Sequence, residues 1–146
     1  MKTGLYLVDK KDDLSLEFSK LVAMMEYTRE TTLDEVRNLT VEQLDFLMNE
    51  EANSIGMLLK HMVAVEKAYQ IESFENRDFT EEDIQMLKPG LELGSLGREQ
   101  IKGHPIDYYL TNLEETRSLT IEKFKTLPDT WLFEQSPFWY NQMASS

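Results

Sequence analysis

Three stretches of this 146-residue chain carry apolar residues at every third or fourth position, and that spacing constrains the fold more than any other feature. From about Ser15 to Leu39, the residues Phe18, Leu21, Val22, Met25, Leu33 and Val36 share one helical face. Ile55, Leu58, Leu59, Met62, Val65 and Tyr69 mark a second face, with Asn53 or Ser54 placed to cap its first turn. A third begins at His104-Pro105, carries Ile106, Tyr109, Leu110, Leu113, Ile121, Phe124 and Leu127, and stops at Pro128-Asp129. No segment alternates with period two, so the chain is expected to be all-α.

The segments between these stretches are read less regularly. Thr40-Val41-Glu42-Gln43 has capping-box form and predicts a short helical turn through Leu44. Residues 75–103 are the least periodic region, where Thr80 caps a short helix through Ile84 and Leu87 before Pro89-Gly90, Gly94 and Gly97 interrupt it. The aromatic tail from Thr130 to Tyr140 is expected to pack along the helices, and residues 1–146 to form a single domain.

Composition excludes several functions. A formal charge of −12 would repel a phosphate backbone over most of the surface, so no nucleic-acid partner is expected. Without cysteine there is no thiolate nucleophile and no thiolate metal site, which leaves histidine, carboxylate or water as ligands and points to the cytoplasm. The apolar run near Met1 is too short for a signal peptide, and no stretch approaches the roughly 18 apolar residues of a membrane span. Neither a phosphate-binding glycine loop nor a nucleophile elbow is present.

Each long stretch carries one charge inside its apolar face. Advancing about 100° per residue places Arg29 among Phe18, Met25 and Val36, Glu66 among Ile55, Leu59 and Met62, and Arg117 among Ile106, Leu113 and Phe124. Buried unpaired charges are costly, so Glu66 is expected to meet Arg29, Arg117 or both in a structural ion cluster. The alternative is that the arginines snorkel to water from the edges of their stripes.

His61 projects to the flank of the second stripe, where ligation of a metal and simple packing at the helix edge are both open. A catalytic zinc needs about three protein ligands. The only other histidine, His104, reads as a turn residue.

The segment Asn53-Ser54-Ile55-Gly56-Met57-Leu58-Leu59-Lys60-His61, with Glu66 following, resembles the second helix of DinB-like proteins, the superfamily that includes the YfiT-like metal-dependent proteins. Arg29, the glycine-containing Leu91 to Gly97 region, Leu113 to Arg117 and Trp131 continue the resemblance over most of the chain. It implies an up-down-up-down helical bundle, with three long helices visible and the fourth absent or truncated. It also implies that His61 is one ligand of a divalent metal, zinc or nickel, whose two remaining histidines come from the fourth helix. That helix is lost or removed, or else its packing surface is supplied by another chain, and a homodimer is expected on that ground. Two functions stay open: a metal-free helical module that binds a partner or small molecule, and a metal-dependent hydrolase or low-molecular-weight-thiol transferase using His61.

Overall fold

The computed structural model describes residues 13–134 and consists of helices and turns, with no strand among the described residues. The expectations for the N-terminal run before Asp13, and for the aromatic tail beyond Glu134, lie outside these residues. The all-α bundle expected from the periodicity is the fold observed. Six α-helices are described: α1 (Leu16–Val36), α2 (Val41–Asp45), α3 (Ile55–Tyr69), α4 (Glu81–Glu92), α5 (Gly94–Gln100) and α6 (Ile106–Phe124). A π-helical turn, Gln70–Phe74, extends α3, and a 3-10 turn, Asp129–Phe133, follows α6.

Local chemistry sets most of the helix starts. Ser15, Thr40, Ser54 and Thr80 each accept a bond from the third amide of the helix that follows, satisfying a donor that has no partner inside the helix. At α1 the Ser15 hydroxyl also donates to Asp129, which ties the start of the chain's first long helix to the turn after its last.

The central element is α3, which packs against α4 on one side and α6 on the other, while α1 packs against α6. Paired contacts give the directions. Lys60 with Asn112, Glu66 with Arg117 and Gln70 with Thr120 advance together, so α3 and α6 run the same way. Phe18 with Phe124 and Arg29 with Leu113 run oppositely, making α1 antiparallel to both. Gly90 of α4 lies against Lys60 and Leu87 clusters with Ile71, which makes α4 antiparallel to α3, so α1, α3, α4 and α6 alternate up, down, up, down along the chain.

The least periodic region is more regular than its sequence suggests. Pro89-Gly90 does not interrupt α4, which continues to Glu92 and turns at Leu93 and Gly94, both with positive φ. The reason is tertiary. A Cβ on Gly90 would lie 2.8 Å from Ala64 Cβ and 3.1 Å from the Lys60 carbonyl oxygen, so glycine lets α4 lie directly on the backbone of α3. Leu87 is buried against Ala64 and Ile71 along the same contact, and that burial outweighs the poor helix propensity of the proline-glycine pair.

Two further cores fix the ends of the bundle. Val36, Leu44, Met57, Leu59, Val63, Tyr109 and Leu113 close the end where α2 crosses, and a Cβ on Gly56 would meet the Tyr109 hydroxyl at 2.5 Å. Leu14, Phe18, Val22 and Phe124 close the opposite end, with Phe74 and Trp131 packed on their rim.

Candidate functional site

Because α1 and α3 are held together mainly through α6, a groove of about 510 Å³ opens between the three helices. Its walls bring together the candidate ligand and the three inward charges: Arg29 from α1, His61 and Glu66 from α3, and Arg117 from α6. The π-helical turn adds Gln70 and Phe74, and Trp131 closes one end. Such turns are frequent at functional sites because the extra residue re-aims side chains that an α-helix would direct elsewhere.

The charged residues form one hydrogen-bonded cluster. Arg117 grips Glu66 with a fork, its Nε donating to Oε2 at 3.0 Å and its Nη2 to Oε1 at 3.0 Å. The Thr120 hydroxyl donates to Oε2 at 2.7 Å. Arg29 approaches the same carboxylate less closely, at 3.6 Å, and donates to the Leu113 carbonyl at 3.3 Å. All three charged side chains are 12–16% exposed, so they are largely removed from water without being sealed. Burial lowers the Arg29 pKa from its ordinary value, the neighbouring Arg117 lowers it further, and Glu66 opposes both.

Gln70 links this cluster to the α6 backbone, donating to the Thr116 carbonyl at 2.8 Å and to Thr120 Oγ1 at 2.9 Å. Sequence reasoning missed Gln70 and Thr120. Thr116 and Thr120, four residues apart and flanking Arg117, were a signal, since hydroxyls inside an apolar face need partners. Gln70, four residues after Glu66 and so on the same helical face, was the matching signal on the other helix.

His61 sits on the groove wall with its ring already committed on one side. Its Nδ1 lies 2.7 Å from the Gly90 carbonyl oxygen, and since that oxygen can only accept, Nδ1 carries the proton. In the neutral ring Nε2 is then the atom with a free lone pair. A backbone carbonyl orienting the distal nitrogen is the usual support of a metal-ligating histidine. The complement of ligands is another matter. Among the described residues no group of three histidines, cysteines or carboxylates converges, and Glu66 is occupied by Arg117, Arg29 and Thr120. The described residues thus offer one metal ligand and do not by themselves fit a three-ligand site.

His104 is not part of this groove. It stacks on Tyr108 with ring centroids 3.7 Å apart and lines a smaller depression on another face of α3.

A helical bundle with one histidine on its second long helix and a paired glutamate five residues later is of DinB-like type. The family model for mycothiol-S-transferase matches residues 20–131, from within α1 to Trp131, and the chain belongs to this family. A comparison with curated proteins finds no match. No helix among the described residues is long and apolar enough to cross a membrane.

Proposed function

We propose that the groove between α1, α3 and α6 binds a low-molecular-weight thiol or its S-conjugate, as a member of a thiol-transferase family would. The observation that carries this reading is the orientation of His61, whose Nδ1–H is fixed on Gly90 so that Nε2 is left to act within a groove walled by Phe74, Trp131 and the methionines of α1 and α3. A thiol held there can give its proton to Nε2, and the resulting thiolate would lie in a groove where two guanidiniums face a single carboxylate. A divalent metal, zinc or nickel, would use the same lone pair and supply Lewis acidity; its remaining ligands would come from outside the described residues.

Within the groove, Arg117 and Thr120 hold Glu66 in place, and Glu66 in turn sets the register of α1, α3 and α6 around the site. The metal-free binding module is the second reading, favoured by the single ligand among the described residues. Hydrolysis is a third use of the same histidine, with no separate feature in its favour. A homodimer and a cytoplasmic location complete the proposal. The first is supported by exposed Met24 on α1 and Leu58 on α3, and the second by the absence of cysteine.

The test is binding of a panel of small thiols, mycothiol among them, and of their S-conjugates, with metal content measured on the same natively purified protein. Saturable binding that disappears in His61→Ala is expected. If metal is present, its loss in the same variant marks His61 as a ligand, while retained thiol binding without metal selects the module. No thiol or conjugate binding in the wild type rejects the proposal.

A further inference from the structure

The second depression, of about 190 Å³, lies between α3, α4 and the start of α6 and is chemically unlike the thiol groove. Its floor is apolar and closed, formed by Val63, Ala64, Leu87 and Ile101, all buried. Its rim carries Lys60 and Lys67, two turns apart on α3, and the stacked rings of His104 and Tyr108.

The charges on this rim are unusual for this chain. Acidic residues outnumber basic ones 27 to 15, yet neither lysine has a carboxylate within ion-pair distance among the described residues. Lys60 Nζ donates to the neutral Asn112 amide oxygen at 3.2 Å and stands 5.1 Å from the centre of the Tyr108 ring. Burial lowers the Lys67 pKa, repulsion by Lys60 lowers it further, and Glu115 pulls the other way more weakly. Two half-buried ammonium groups that repel each other across an apolar floor are stabilised by an anion placed between them.

We propose that this depression is a binding site for a small, flat organic carboxylate, with its carboxylate on Lys60 and Lys67 and its apolar body on the floor beside the Tyr108–His104 stack. The volume, below the roughly 300 Å³ at which drug-sized sites begin, suits a single ring and not an extended molecule. The site lies across α3 from the thiol groove, and the two meet at Gly90, which lines this depression and whose carbonyl accepts the bond from His61.

His104 and Trp131 make the test direct, because each lines one of the two cavities. Benzoate, benzamide and inorganic phosphate are titrated into the full chain, and the imidazole signals of His104 are followed by NMR with the Trp131 indole as the reference for the other groove. Benzoate is expected to shift His104 saturably while Trp131 stays in place, with benzamide and phosphate binding far more weakly. Lys60→Gln and Lys67→Gln should each weaken benzoate about tenfold, the equivalent of one charge-assisted bond, while Lys67→Arg keeps the affinity. The proposal is overturned if benzoate leaves His104 unmoved, if benzamide or phosphate binds as well as benzoate, or if both glutamine variants bind as the wild type does. An unchanged Trp131 signal in the variants shows that the fold has survived.

Discussion

Glu66 lies between two guanidiniums that hold it differently. Arg117 presents two donors, one to each carboxylate oxygen at 3.0 Å, whereas Arg29 reaches one oxygen at 3.6 Å and spends another donor on a backbone carbonyl. Geometry of the first kind couples strongly and of the second weakly. Double-mutant cycles should therefore give a coupling of about 2 kcal/mol for Glu66 with Arg117 and less than about 1 kcal/mol for Glu66 with Arg29. Equal couplings would overturn this ranking, and near-zero coupling in both cycles would show that the cluster does not register the helices. Glu66→Gln alone should cost about 3–5 kcal/mol in chemical denaturation, because it leaves two largely buried cations without their anion. At this scale the sequence was informative: an inward charge on each apolar stripe forecast which residues would meet. It did not forecast which arginine would win, since that depends on where α1 and α6 stand relative to α3.

The helices differ in how openly their sequences announce them. Thr40 with Gln43 and Thr80 with Asp83 satisfy each other's backbone amides as their spacing suggests, so both helix starts were legible. The continuation of α4 through Pro89 was not, because it depends on a glycine contact with α3 that no local rule contains. Asp83 also tests the importance of the α4 start. The Arg77 guanidinium, followed by the Thr80 amide, holds its carboxyl down to about 2. A folded-state value below the unfolded one of about 3.9 means that this group stabilises the fold above about pH 4 and loses its contribution as the pH falls through about 2. Amide signals of Glu81 to Ile84 should accordingly lose their folded dispersion over that window, ahead of those of α3. Asp83→Asn should show the weakened start at neutral pH and little further change on acidification. A wild-type α4 start that persists unchanged to the bottom of the window would count against the interaction.

For the molecule as a whole, the groove exists because α6 mediates between α1 and α3, and its outer rim leaves apolar side chains in water. Met24 is 61% exposed on α1 and Leu58 47% exposed on α3, and both adjoin the methionines that line the opening. If a second copy covers this rim, sedimentation should show a concentration-dependent dimer that Met24→Glu weakens. Raising the salt concentration should strengthen it, because a formal charge of −12 on each copy opposes association. A monomer at every concentration and salt level would reject the homodimer.

The sequence by itself determined the helical class, the caps, the stripes and the identity of the inward charges, because periodicity and capping are properties of neighbours along the chain. Only the tertiary structure decided that His61 turns Nδ1 to Gly90, that Gln70 and Thr120 complete the cluster, and that Lys60 and Lys67 share a depression with His104. Those relations join residues tens of positions apart, and they arise when α4 closes on the backbone of α3 and α6 lies beside it in the same direction. A histidine that matches one third of a metal motif along the chain becomes, in three dimensions, an imidazole oriented by the Gly90 carbonyl on the wall of a defined groove.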